Sequence, residues 1–262
     1  MTYEHEFDVV DEQPVIEVPG APTRMSAYLA RPATEGDHPV VLVGTELWGV
    51  NEDARAVARR VAALGCVAIV PNLYHRTDPD SADGFPHSEA NRTHAFELVA
   101  RMTRDEVEAD LRAAAAYART RAGAADRTGM LGFSLGGHFA YFAATRLPLA
   151  AAAIYYPGWL PTSGTALSRP DPLLDDTAAI AVHGTRLALF FAERDHVIDA
   201  AQVDAVRRAL TTAGVRHEVT VHPDAVHAFF FPGYETYDKA AADASWERVV
   251  GLFREELRAP LP

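Results

Sequence analysis

Short apolar runs alternate with amphipathic stretches along most of this chain. His38-Pro39-Val40-Val41-Leu42-Val43-Gly44, Cys66 to Val70, Thr128 to Phe133, Leu149 to Tyr156 and Leu187 to Phe191 are continuous apolar runs. That is the pattern of strands buried on both faces. His217 to Val221 adds one more strand. Between these runs the spacing turns helical. Glu52 to Leu64 sets Val57, Val61 and Leu64 on one face, and Gly65 follows as the stop. Further helices are predicted over about Ser88 to Met102, Asp105 to Arg121, His138 to Thr145, Ala200 to Ala213 and Tyr237 to Leu257. Near the N-terminus, Val15 to Val18 and Met25 to Ala30 flank Pro19-Gly20-Ala21-Pro22, which reads as a β-hairpin. Asn72 to His87 and Pro157 to Gly184 read as loops, the second with a short helix around Leu173 to Thr177.

Strands alternating with helices from residue 39 onward predict an α/β fold with a mostly parallel central sheet and helices on both faces. No repeat, low-complexity tract or linker divides the chain, so one domain over residues 1–262 is expected. No insertion is long enough for a separate cap domain. The loop at 157–184 could partly cover a pocket.

Composition narrows the function. At 262 residues and 48% hydrophobic content the chain can build a large core. A net charge of -12 without a Lys/Arg cluster argues against nucleic acid or an anionic membrane as partner. No apolar run approaches the ~18 residues of a membrane span, and the acidic N-terminus has no apolar signal core, so a soluble cytoplasmic protein is expected. The lone cysteine, Cys66, sits in an apolar run and reads as a small buried hydrophobe. It leaves no disulfide framework and no Cys-rich zinc site.

The chemistry concentrates at Gly132-Phe133-Ser134-Leu135-Gly136-Gly137. Gly-x-Ser-x-Gly between a buried strand and a helix is the pattern of a nucleophile elbow, where the serine occupies a strained turn and its hydroxyl stands clear of the sheet. The residues two before and two after must be tiny, and Gly132 and Gly136 meet that need. The plainer alternative is a Gly-rich turn whose serine caps the helix. A nucleophilic serine also needs a histidine base and a carboxylate that orients it, following in the order Ser, Asp/Glu, His. Asp195, in the loop after Leu187 to Phe191, is the candidate acid, with Glu193 as the alternative. His227 is the candidate base, further into its loop than His222. His222, Asp224 and His227 are too irregularly spaced for a metal site, so none is expected. His138 reads as packed against the sheet, and His75, His87 and His94 as solvated. Two backbone N–H groups must hold the oxyanion. Leu135 follows the nucleophile, and Leu47 is the choice in the loop Thr45-Glu46-Leu47-Trp48-Gly49.

With these residues placed, the chain resembles the dienelactone hydrolase family of α/β-hydrolases over about residues 15 to 257. The likeness rests on Glu46-Leu47-Trp48-Gly49-Val50-Asn51, Pro71-Asn72-Leu73-Tyr74, the elbow at Ser134, Asp195-His196, and His227-Ala228-Phe229. It implies an α/β-hydrolase fold, an oxyanion donor at Leu47, and a glutamate, Glu46, that approaches the nucleophile. Family members that open dienelactones commonly carry cysteine where this chain has Ser134. They also use arginines for a substrate carboxylate. Arg92 loosely matches one, and Phe229-Phe230-Phe231 stands where the other would fall. Phe229 and Phe231, with Trp159, are therefore candidates for an aromatic wall that favours apolar ester groups, or Phe229 to Phe231 pack beneath the last helix; Trp48 is a further candidate for substrate binding.

The function expected is a serine hydrolase of carboxylic esters or lactones, working on a small-molecule substrate through an acyl-enzyme without cofactor, as a monomer or homodimer. Acyl transfer or thioester cleavage would use the same groups. A hydrolase-fold protein that senses a ligand is the alternative from another class.

Overall fold

The computed structural model describes residues 7–123 and 126–258. The chain forms two compact units, residues 1–129 with 257–262, and residues 130–256. The first holds β1 (Val9–Glu12), β2 (Val15–Ile16), β3 (Met25–Pro32), β4 (Val40–Gly44), α1 (Glu52–Ala63), β5 (Val67–Pro71), α2 (Glu89–Ala100) and α3 (Arg104–Arg119). β6 (Thr128–Phe133) carries the chain into the second. There follow α4 (Leu135–Arg146), β7 (Ala151–Tyr155), a 3-10 turn (Leu173–Asp176), α5 (Thr177–His183), β8 (Arg186–Ala192), α6 (Ala200–Thr212), β9 (His217–His222) and α7 (Lys239–Leu257).

In the first unit β3 pairs antiparallel with β1, β2 and β5, and β4 runs parallel to β5 with Val40 opposite Val67. The β2–β3 pairing is the hairpin expected from the sequence. β1 was not expected. Val9-Val10-Asp11-Glu12 carries no periodic signal and is only half covered, so its strand state comes from pairing with β3 rather than from local preference. In the second unit β7, β8 and β9 run parallel, with Ala151 opposite Arg186 and Leu187 opposite His217. β7 and most of β8 are wholly buried, as continuous apolar runs require. β9 alternates polar and apolar residues and is half exposed.

Helix starts follow capping chemistry. The side chains of Asn51, Ser88 and Asp199 accept from backbone N–H groups in the first turns of α1, α2 and α6. Thr103 and Glu106 form a reciprocal capping box at α3. The loop read at 157–184 is shorter than expected, because α5 occupies Thr177–His183 beyond the 3-10 turn. Cys66 is buried, and burial pushes its thiol up to about 12, so it is inert packing. Among the described residues no helix is long and apolar enough to cross a membrane.

His75 corrects the sequence reading. It is 1% exposed rather than solvated. It belongs to a buried cluster centred on Asp110, the only charge facing inward from α3. Arg76 grips the Asp110 carboxylate in a fork, Nε at 3.1 Å and Nη2 at 2.8 Å from Oδ1, and this bond holds the guanidinium pKa above its ordinary value. His75 Nε2 lies 3.1 Å from Asp110 Oδ2, close but not aligned as a hydrogen bond, and its Nδ1 is 3.0 Å from Thr23 Oγ1. The cluster ties α3 and the β2–β3 turn to the segment after β5. Removing one member strands a buried charge. Asp110→Ala is expected to cost about 3–5 kcal/mol in denaturant unfolding. A loss below about 1 kcal/mol would show that water satisfies Arg76 without its partner.

Candidate active site

The elbow forms as its glycines require. Ser134 sits at φ 52 and ψ -110, a conformation that L side chains rarely adopt. Its N–H donates to Tyr155 O at 3.0 Å, and its carbonyl accepts from His138 N at 3.0 Å, the first turn of α4. A Cβ on Gly132 would come within 2.0 Å of the Gly136 carbonyl oxygen. One on Gly137 would lie 2.6 Å from Tyr155 O, so α4 can start this close to β7 only with glycine there. The Ser134 side chain makes no capping bond to α4, which removes the helix-cap reading.

Its hydroxyl turns instead to His227. Ser134 Oγ and His227 Nε2 are 3.0 Å apart, and His227 Nδ1 is 2.8 Å from Asp195 Oδ2. Asp195 Oδ1 accepts from the N–H groups of Val197 at 2.7 Å and Ile198 at 3.1 Å. A carboxylate only accepts, so Nδ1 carries the imidazole proton and Nε2 is left to accept from the serine. The Asp195 side chain is 1% exposed and that of His227 is 13% exposed. The line is therefore dry at its acid end and open near the nucleophile.

Glu193, the alternative acid, has a different task. Its carboxylate accepts from Asp224 N at 3.0 Å. Glu193 N donates to His222 O at 3.0 Å, and Arg194 N to Ala225 O at 2.9 Å. These bonds staple the acid loop to the base loop. Asp199 caps α6 through Gln202 N.

Of the two places open to Phe229 and Phe231, the structure shows the core rather than an aromatic wall. They are 0% and 5% exposed. Beyond Ala228, at φ 63, the chain turns back into a ring cluster. Phe229 packs on Tyr156 at 5.2 Å, Phe230 on Phe133 at 4.8 Å and on Trp246 of α7 at 6.1 Å, and Phe231 on Phe133 at 5.0 Å. Burial of large rings here outweighs any exposure to a ligand. Trp159 is half-buried at φ 60, its ring edge-on to His138 at 6.0 Å. His138 is fully buried, as expected, with Nδ1 2.9 Å from Gly158 O. Leu135 opens α4 directly after the nucleophile.

Glu46, Leu47, Trp48 and Arg92 belong to the first unit. There the loop after β4 is pinned by Tyr74, whose hydroxyl donates to Leu47 O at 2.9 Å. Burial raises the Tyr74 phenol pKa, so it remains a donor. Glu46 is 8% exposed, and Trp48 stacks on the exposed His87 at 4.4 Å. Arg92 is exposed on α2, its guanidinium 5.9 Å from the Phe96 ring. His94 is half-buried, 3.1 Å from Asp78. Among the described residues no cluster of His, Cys, Asp or Glu could hold a metal ion.

Sequence reasoning did not find Tyr156, whose ring lies 5.0 Å from that of His227, nor the exposed His196 at 5.7 Å. Tyr156 is read only as a strand end. Its position at φ 34 has no signal in residue type.

The profile of the dienelactone hydrolase family matches residues 25–257. The chain belongs to the dienelactone hydrolase family. A protein from Synechocystis sp. provisionally named a carboxymethylenebutenolidase is 32% identical, over 93% of this chain and 97% of its own length. One from Escherichia coli (strain K12), with the same provisional name, is 33% identical over 91% and 85%. The crystal structure of a provisionally named dienelactone hydrolase from Klebsiella pneumoniae subsp. pneumoniae superposes with a TM-score of 0.84 at 29% identity, covering 95% of this chain and 99% of that one. The fold is that of the α/β-hydrolases, and the protein is an enzyme of the carboxylic ester hydrolase type.

Two outcomes follow from this environment. Gly132→Ala forces a Cβ into the Gly136 carbonyl, and its thermal midpoint is expected to drop by well over 5 °C, equivalent to roughly 2 kcal/mol or more. An unchanged midpoint would show that the elbow can open. His222 is buried between Phe190 and Phe229, which lowers its pKa from 6.5 against the opposing pull of Asp238. A depressed folded-state pKa means the unfolded chain binds the proton more readily. The contribution to stability is complete above 6.5 and is lost as pH falls through the depressed value. Thermal melts between about pH 7 and pH 5 should show a steeper decline for wild type than for His222→Leu. Parallel curves would assign the acid sensitivity elsewhere.

Proposed function

We propose that this hydrolase cleaves carboxylic esters or lactones through an acyl-enzyme, with Ser134 as nucleophile, His227 as general base and acid, and Asp195 as the group that orients His227. The observation that carries the reading is the unbroken line from Ser134 Oγ through His227 to the buried Asp195 carboxylate. Ser134 Oγ attacks the carbonyl carbon while its proton passes to His227 Nε2. The imidazolium is stabilised by Asp195 and returns that proton to the leaving alkoxide. A water molecule, deprotonated by the same nitrogen, then releases the acid and restores the serine. Serine is not stored as an anion, so the base acts during attack, unlike a thiolate nucleophile.

The oxyanion is assigned to the N–H groups of Leu135 and Leu47, the second on motif grounds alone. Glu46 is assigned to orienting neighbouring groups or binding a substrate hydroxyl. Trp48 and Trp159 remain the candidates for apolar contact with the substrate, and Arg92 for a carboxylate. The shared name of the relatives, that of a lactone-opening enzyme, supports including lactones in the substrate class. The same reading has the chain acting as one catalytic domain, in the cytoplasm and without cofactor.

The test is labelling with a fluorophosphonate probe, read by peptide mass spectrometry. Wild type should be modified at Ser134, and His227→Ala should not. Turnover of p-nitrophenyl esters should fall about 10³-fold or more in Ser134→Ala and His227→Ala. Near-normal turnover in either variant would overturn the assignment.

A further inference from the structure

The three loops that carry Ser134, Asp195 and His227 all bear on one segment that contains none of them, Tyr155 to Trp159. Ser134 N donates to Tyr155 O, and Gly137 stands against Tyr155 O and Pro157. His138, one turn into the elbow helix, lies 2.9 Å from Gly158 O. A Cβ on Gly158 would meet Val197 Cγ1 at 3.7 Å, and Val197 N is itself bound to Asp195. The Tyr156 ring lies 5.0 Å from the His227 ring. Two non-glycine residues of this short segment have positive φ, Tyr156 at 34 and Trp159 at 60. A backbone held in so unfavourable a region is over-determined by its surroundings.

The hydrogen bonds of His227 do not by themselves fix its plane. One acts at Nε2 and the other at Nδ1, so together they set an axis about which the imidazole can still rock. The bond at Cγ limits that motion, and packing against the ring limits it further. The Tyr156 ring lies against that of His227 at 5.0 Å, tilted by 59°. Tyr156 is fully buried, and its N–H is anchored to Phe190 O at 2.7 Å. It is backed by Phe229, which in turn rests on Tyr155 and His222. His196, whose ring is 5.7 Å from that of His227, is exposed and offers no rigid wall.

We infer that Tyr156 is a positioning residue for His227, held by the strained segment Tyr155–Trp159 so that its ring fixes the plane of the catalytic imidazole. The inference rests on the triad proposed above. It assigns to Tyr156 a role through ring packing, not through contact with substrate. Loss of the ring lets the imidazole tilt away from the serine and the leaving group, which slows proton transfer without changing substrate binding.

The experiment compares wild type, Tyr156→Phe, Tyr156→Leu and Tyr156→Met on p-nitrophenyl butyrate, with active sites counted by fluorophosphonate titration. Tyr156→Phe should keep kcat per titrated site within about twofold, because the ring face remains. Tyr156→Leu should lose about tenfold or more in kcat per titrated site, with KM within about twofold. Tyr156→Met carries the same expectation if the leucine variant does not fold. Wild-type kcat per site in the leucine or methionine variant would overturn the inference. So would a loss in Tyr156→Phe equal to that in Tyr156→Leu, or a rise in KM with kcat unchanged. Absence of labelling at Ser134 in wild type would instead remove the triad reading itself, which separates the two failures.

Discussion

The structure of the site depends on one steric clearance, the space between Gly132 and the Gly136 carbonyl. It allows the chain to reverse within a few residues, from a buried strand into a helix, with Ser134 at the bend. From that bend follow the direction of the serine hydroxyl, the position of Leu135 and the close approach of α4 to β7. The strain at Ser134 is tolerated because its N–H and C=O are both engaged, one by Tyr155 and the other by the helix. Nothing in the side chain of serine favours this conformation. The surrounding glycines permit it and the flanking elements impose it.

Packing and polarity divide the work in the rest of the second unit. Alanine-rich β7 and the rings of Phe133, Tyr155, Phe190 and Phe230 build an apolar floor beneath the loops. Above it the loops hold themselves mainly by backbone hydrogen bonds. Asp195 illustrates the division. One of its oxygens serves the local turn and the other serves His227, so a single buried carboxylate shapes the loop and orients the base. In the first unit Asp110 organises a different set of elements in the same manner, with no part in the proposed chemistry.

Much of this was legible in the sequence because it rests on local rules. Buried strands read as apolar runs, and helices as amphipathic spacing, the first of them closed by Gly65. The elbow shows in its glycine spacing, and the loops of the acid and the base in their places after strands. What escaped depends on contacts distant in the chain. β1 exists only through β3. His75 reads as solvated, yet Asp110, far along the chain, meets it in the interior. Residue type leaves Phe229 and Phe231 open either to the pocket or to the core. The left-handed turn at Ala228, invisible in residue type, folds them into the core. Glu193 and Asp195 are alike in composition and differ only in which backbone groups they face.

The staple between the acid and base loops bears on how this sequence can drift. Two of its three bonds, Glu193 N to His222 O and Arg194 N to Ala225 O, run between main-chain atoms. Main-chain atoms are present whatever side chain is attached. The exposed position 194 can therefore accept any residue but proline, while the buried Ala225 must stay small, and the separation between carboxylate and imidazole stays fixed. Surface charge around the mouth of the site is thus free to diversify among descendants of this chain without disturbing the catalytic spacing beneath it.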